Sequence, residues 1–217
     1  MADLPSIRQA VIEGDAIRTR SLVEATLGEG TSALAIVQKG LIPGMDVVGR
    51  RFRAGEMFLP EVLVAAQAMQ AALAILRPLL AGHGVPSPGK VVLGTVKEDI
   101  HDIGKNLVRI LLEGAGFSVI DLGTNVTEAA FVAATTEHHP DLVALSCLLT
   151  TTMRWMRSTI QALTSAGLRD QVKVIVGGAP ITQRFADEIG ADAYAPDAAT
   201  AVEKARVLVG PKSERSL

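Results

Sequence analysis

The residues with the clearest chemical capacity lie in one stretch, Val91 to Asn106, which reads VVLGTVKEDIHDIGKN. An apolar run ends at Val96, charged residues follow, His101 stands among them, and Gly104 opens an apolar helical pattern. Asp99 lies two residues before His101. A carboxylate so placed can orient one imidazole nitrogen and leave the other free for a metal. Asp102 precedes the helical pattern directly and is suited to cap it. Two further stretches stand out. Ser146-Cys147-Leu148-Leu149-Thr150-Thr151-Thr152 follows another apolar run and offers hydroxyls, and Gly177-Gly178-Ala179-Pro180 follows a third and leaves the backbone bare. A bare ion usually takes three or four protein ligands. One histidine beside a side-chain-free groove better suits a metal already held by a macrocycle.

For these stretches to meet, the chain must fold so that their strands are neighbours. After Gly89 the pattern alternates strand and helix. Strands are expected at Val91–Val96, Ser118–Leu122, Leu142–Ser146, Val172–Val176 and Ala193–Tyr194, and helices at Ile103–Gly114, Glu128–His138, Thr151–Ala166, Ile181–Ile189 and Ala198–Val209. Alternation of this kind gives a parallel sheet covered on both faces. The expected class is α/β, a flavodoxin-like (Rossmann-type) five-stranded sheet of order 2-1-3-4-5. In that order strands one, three and four are adjacent. Their carboxyl ends bring His101, Ser146 and Gly177-Gly178 to one patch beside the switch point.

The first part of the chain has a different period. Leu4 to about Ala81 reads as a four-helix bundle. A short helix ends at Gly14-Asp15, and a second runs from Ala16 to Leu27. A third starts after Thr31 and bends near Pro43, whose ring removes a backbone donor. A fourth opens at Leu59-Pro60-Glu61 and carries apolar residues at helical spacing from Val62 to Leu80. Residues 81–89, AGHGVPSPG, are composed like a linker. The domain boundary is placed there, with residues 1–84 as a helical cap and 85–217 as the sheet domain.

Composition excludes several classes. The chain has 217 residues, 48% of them hydrophobic, with a net charge of -2, which gives no footprint for nucleic acid. Cys147 is the single cysteine, so neither an internal disulfide nor a zinc-type cysteine cluster is available. The first residues carry an acid and a proline where a signal peptide would be basic and then apolar. No apolar run is expected to reach the ~18 residues of a membrane span. These features point to a cytoplasmic protein.

Asp99-x-His101-x-x-Gly104, Ser146-x-Leu148 and Gly177-Gly178, in this order, resemble the corrinoid-binding signature of the cobalamin-dependent methyltransferase family. Residues 49–62, GRRFRAGEMFLPEV, resemble the helical cap that precedes the corrinoid domain in methionine synthase and in small corrinoid proteins of demethylation systems. The resemblance implies cobalamin bound with its own base displaced from cobalt and His101 in its place. It implies a His101–Asp99–Ser146 proton relay and a tail groove lined by Gly177 and Gly178. Release of His101 as cobalt is reduced would be coupled to proton uptake by that relay. The expected cofactor contacts are Gly94, Asp99, His101, Asp102, Ile103, Gly104, Ser146, Leu148, Thr150, Thr151, Gly177 and Gly178, with Phe52, Leu59 and Val62 of the cap over the upper face. The cap would have to swing away, with residues 82–89 as the hinge.

Beside these readings stand plainer ones. Asp102 reads as a helix cap, and Phe52, Leu59 and Val62 fit a bundle core equally. Trp155 with Arg154 and Arg157 fits either a partner-binding helix surface or simple packing. The implied function is a methyl carrier. It would work between a substrate-specific methyltransferase and a second one acting on tetrahydrofolate or a thiol, with a reductive activator as a further partner. Neither nucleic acid nor membrane is among the expected partners. The alternative is a cobalamin-dependent sensor, which usually carries an added DNA-binding domain.

Overall fold

The computed structural model describes residues 3–80 and 87–210. The chain forms two compact units, the first built mainly of residues before Ser87 and the second of most residues after it. The expected boundary between residues 84 and 85, and most of the expected hinge, lie outside the described residues. The end of that stretch belongs to the sheet unit. Ser87 Oγ donates to the Gly89 carbonyl and accepts from the Ser118 N–H.

The first unit is helical. Helix α1 (Leu4–Glu13) has Asp3 as its cap and ends on left-handed Gly14; α2 (Ala16–Gly28) is capped by Asp15. Both caps accept a backbone N–H of the first turn, as short polar side chains do at helix starts. Helix α3 (Ala33–Ile36) is capped by Ser32 and runs through a π-helical segment, Val37–Leu41, into α4 (Ile42–Arg53). The irregularity therefore lies one turn before Pro43 and not at it. Proline in the first turn of α4 cannot donate backward, and the Ile42 N–H bonds to the Val37 carbonyl, five residues back.

Helix α5 (Leu59–Leu80) completes the unit and packs on α1, α2 and α4. Among the described residues it is the one helix long and apolar enough, by length and composition, to cross a membrane. This corrects the expectation that no stretch reaches such a length. Glu61 and Arg77 lie near its ends and leave the middle uncharged. Its buried residues, Val62, Ala65, Ala68, Met69, Ala72, Leu76 and Leu80, recur every three or four positions. That is the pattern of a bundle helix with one covered face.

The second unit contains β1 (Lys90–Thr95), α6 (Ile103–Gly114), β2 (Ser118–Asp121), α7 (Glu128–His138), β3 (Leu142–Ser146), α8 (Met153–Ser165), β4 (Lys173–Gly177), α9 (Gln183–Ile189), β5 (Ala193–Ala195) and α10 (Ala198–Val209). The strands are parallel in the order 2-1-3-4-5. Alternate strand residues divide between two faces. Val92, Val143, Leu145, Val174 and Val176 pack with Phe131 of α7, Met156 and Ile160 of α8 and Ala186 of α9. The residues between them, Val91, Leu93, Leu142, Ala144 and Ile175, are buried as well, so both faces of the sheet are covered. Register aligns Thr95 with Ser146 and Ser146 with Gly177, which ends three adjacent strands at one level.

Candidate functional site

The site begins where β1 stops. The chain leaves the sheet after Val96, and the next turn puts Glu98 in the left-handed region at φ 63°. The loop after β2 holds that turn. Asn125, itself at φ 54°, accepts the Glu98 N–H on its side-chain oxygen at 2.8 Å and donates its own N–H to the Asp99 carbonyl at 2.9 Å. Asparagine is one of the few residues that tolerate this conformation. The buried Thr95 hydroxyl donates to the His101 carbonyl at 2.8 Å and fixes the far side of the turn.

Asp99 is fully buried, and each of its carboxyl oxygens is used. Oδ1 lies 2.7 Å from His101 Nδ1 and accepts the His101 N–H at 3.1 Å. Oδ2 accepts the N–H groups of Leu148 at 2.8 Å and Leu149 at 3.3 Å, and the Thr152 hydroxyl at 3.0 Å. Burial pushes this carboxyl up. The donors from Leu148, His101 and Thr152 outweigh burial and hold it at about 2, below the ordinary 3.8. An ionised carboxylate only accepts hydrogen bonds, so the proton between it and the ring belongs to Nδ1. In the neutral ring Nε2 is then the nitrogen with the free lone pair.

The His101 side chain is 45% exposed although its partner is fully covered. Ile100 and Ile103 flank it in the chain, and the Leu148 and Leu149 amides bind its partner Asp99; all four side chains are large, apolar and exposed. Of the exposed large hydrophobic residues in the described part of the second unit, only Val207 lies elsewhere. An imidazole nitrogen in an apolar rim is a setting for a broad ligand rather than a hydrated ion. Among the described residues no three His, Cys, Asp or Glu side chains gather to hold an ion. His101 could thus serve as one ligand to a metal whose other positions are already filled, as in a corrin.

The other expected residues fall into distinct places. Leu148 and Ile103 form part of the rim, and Gly104, Thr150 and Thr151 are exposed beside them. Asp102 precedes α6 and accepts from the Asn106 side chain at 3.0 Å, a position that suits its plainer reading at the start of that helix. Gly94 is inside β1, where an added Cβ would come within 2.8 Å of the Phe131 ring, so its bareness is taken up by packing. A Cβ on Gly177 would meet the Ala195 carbonyl oxygen at 2.8 Å, and one on Gly178, at φ 129°, would collide with the Cys147 carbonyl. Both glycines let neighbouring backbone approach, whatever else passes near them. Phe52 and Leu59 are half-buried and Val62 is fully buried, whereas Phe58 is exposed.

Ser146 ends β3, and its carbonyl accepts the Val96 N–H. Among the described residues its hydroxyl has no hydrogen-bond partner. The hydroxyl on Asp99 is that of Thr152, which sequence reasoning had quoted without a role. Thr95 and Asn125 were missed altogether. The one available signal was a threonine at a strand end and an asparagine in a Gly-Thr-Asn loop.

The match to known families follows the same division. A B12 binding domain matches residues 89–205, and a second B12 binding domain matches residues 5–77. The chain belongs to the B12-binding corrinoid proteins of methyltransferase systems, and its cofactor is cobalamin. It is 45% identical to a corrinoid protein of Desulfitobacterium hafniense (strain Y51), covering 97% of this chain and 99% of that one. It is 44% identical to the dimethylamine corrinoid protein of Methanosarcina barkeri, covering 95% and 97%. Among solved structures it resembles the methanol:cobalamin methyltransferase complex of Methanosarcina barkeri, with TM-score 0.86 and 29% identity over 95% of this chain and 79% of that one.

Proposed function

We propose that this protein is a methyl carrier that binds cobalamin base-off, with His101 Nε2 as the lower cobalt ligand. Cobalamin supplies the metal centre that takes up and gives away the methyl group. The chain's own residues hold and orient that centre. Asp99 keeps the Nδ1 proton and so presents the lone pair on Nε2. The Leu148 and Leu149 amides and the Thr152 hydroxyl keep Asp99 ionised. Ile100, Ile103, Leu148 and Leu149 would offer a bound macrocycle an apolar seat and keep water from the His101 loop. The observation that carries the reading is the exposed His101 ring locked to a buried, fully bonded carboxylate inside that rim.

A carrier needs two methyltransferases, one that loads it and one that unloads it onto tetrahydrofolate or a thiol, and a reductive activator to restore the reduced cofactor. For the loading partner we favour an enzyme of methylated amines. Dimethylamine and trimethylamine corrinoid proteins are 40–47% identical to this chain in sequence, and of two solved structures the monomethylamine corrinoid protein is 36% identical and the methanol complex 29%. A reducing cytoplasm is the compartment such chemistry requires.

The test is reconstitution with hydroxocobalamin. The His101→Ala protein is expected to lose the spectrum of the histidine-ligated cofactor. An absorbance spectrum identical to the wild type overturns the ligand assignment. Transfer of a methyl group from a methylated amine, and not from methanol, in the presence of the cognate methyltransferases is expected for the loading step. The reverse preference would replace the proposed partner.

A further inference from the structure

We propose that the buried Lys105–Asp121 pair is a positioning element for cobalt ligation. It closes a ring of hydrogen bonds around the histidine loop and so fixes where His101 stands. The inference deepens the proposed function and rests on its reading of His101 as a cobalt ligand.

Lys105 lies in the first turn of α6, four residues after His101. Lysine is almost never fully buried unless paired. This side chain is only 2% exposed, and Nζ donates to Asp121 Oδ2 at 2.6 Å and to Asn106 Oδ1 at 2.8 Å. Two arms run from that nitrogen back to the loop. In the first, the Asn106 side chain donates to Asp102 Oδ2 at 3.0 Å, and the Asn106 N–H donates to the Asp102 carbonyl at 2.7 Å. Lys105 takes the amide oxygen of Asn106 and thereby turns its NH2 group toward Asp102, the residue after His101. In the second, Asp121 ends β2, and its Oδ1 accepts the Gly123 N–H at 2.9 Å. That bond shapes the turn leading to Asn125, which holds the Glu98 N–H and the Asp99 carbonyl. The Gly123 carbonyl also accepts the Thr95 N–H at 2.9 Å, at the root of the loop. Asp99 and Asp102 are thus tied to one ammonium from opposite sides of His101.

An apolar pair could fill the same space. Burying two charges costs desolvation, and apolar replacements of similar volume are often neutral for stability. What the ion pair adds is direction, because only one placement of α6 against the end of β2 satisfies it. Arg109, one turn further along α6, lies with Nε 3.5 Å from the same Asp121 oxygen and pairs with Glu113 at 3.2 Å. The pair therefore serves the geometry of the loop more than the stability of the fold. Lys105 and Asp121 are positioning residues that act on His101 through Asp102, Asn125 and the backbone between them.

The experiment uses protein labelled with ¹⁵N-histidine, loaded with hydroxocobalamin and reduced to the cob(II) state. Electron paramagnetic resonance then reports the axial nitrogen. A labelled histidine splits each line into a doublet, and the cofactor's own ¹⁴N base splits it into a triplet. Wild-type protein is expected to show the doublet. The double variant Lys105→Met/Asp121→Asn removes both charges, and the asparagine keeps an acceptor for the Gly123 N–H. It is expected to hold a urea midpoint close to wild type, to lose most of the doublet and to bind hydroxocobalamin about 10-fold more weakly, the lower range for groups that orient a metal ligand. Asn106→Ala cuts the first arm alone and is expected to weaken binding by a smaller factor. Glu113→Gln changes a charge of α6 outside the ring and is expected to match the wild type.

A doublet and an affinity of wild-type size in the double variant overturn the inference. A lost doublet that comes with a fallen midpoint and is not shared by Asn106→Ala marks a merely structural bridge and overturns it as well. So does a loss in Glu113→Gln as large as in the double variant. Should the double variant not fold, Asn106→Ala decides: weaker binding at an unchanged midpoint supports the ring, and wild-type binding overturns it. A triplet in the wild type overturns the ligand reading itself, a different failure.

Discussion

The two units differ in how far their side-chain hydrogen bonds reach, since the sheet unit adds long-range bonds to the local caps that both share. In the helical unit side-chain hydrogen bonds such as Asp15 to Arg18, Ser32 to Ala35 and Glu61 to Phe58 join residues three apart. In the sheet unit Asp99 reaches Leu148, Leu149 and Thr152, and Glu98 reaches Arg154 and Trp155, each about fifty residues away or more. Local bonds set where helices begin and leave packing to apolar spacing. Long-range bonds make one loop depend on another. A bundle of the first kind tolerates polar change and suffers from cavities. A site of the second kind can be lost through one polar atom.

Four measurements break or sharpen this contrast. The largest effect is expected from Asp99→Ala. It strands the five donors that converge on this carboxylate, so stability should fall by about 4 kcal/mol in urea unfolding, and histidine ligation of cobalt should vanish with it. Leu76→Ala, at a fully buried position of α5, should cost about 3 kcal/mol through the cavity it leaves. Its cofactor spectrum should match the wild type; a changed spectrum would mean that the bundle core shapes the site.

Acid comes next. Asp99 is held at about 2 against an ordinary 3.8. A depressed carboxyl contributes stability above its unfolded value, and that contribution drains away as pH falls from about 4 to about 2. Unfolding free energies across that window should lose about 2 kcal/mol more in wild type than in Asp99→Asn, and equal losses would remove Asp99 as the cause. Glu98→Gln should have the smallest effect. Its carboxylate, held low by the Trp155 and Arg154 hydrogen bonds, is exposed, so unfolding midpoints should barely move. A large shift would show that the left-handed turn depends on this side chain and not on Asn125.

Much of this molecule was legible from its residues. The strand order follows from alternation of apolar runs with helical patterns, and the Asp99–His101 pair from a spacing of two. What stayed hidden shares one cause. Thr150, Thr151 and Thr152 are indistinguishable in sequence, and the path of the chain after β3 turns only the third inward. Gly177 and Gly178 read as room for a ligand, whereas much of that room is used by Ala195 and Cys147. Pro43 announced a kink, but the missing donor is felt by the turn before it. In each case the deciding partner is supplied by folding, and periodicity carries no trace of it.

Trp155, the single tryptophan, donates its indole N–H to Glu98 at 3.1 Å, and Glu98 is the residue next to Asp99. Lys97 stacks over the same ring at 4.1 Å. The protein thus carries its own fluorophore at the edge of the histidine loop. A corrin absorbs where indole emits, so loading will darken the protein's ultraviolet emission through energy transfer, and occupancy can be read in a cuvette without any dye.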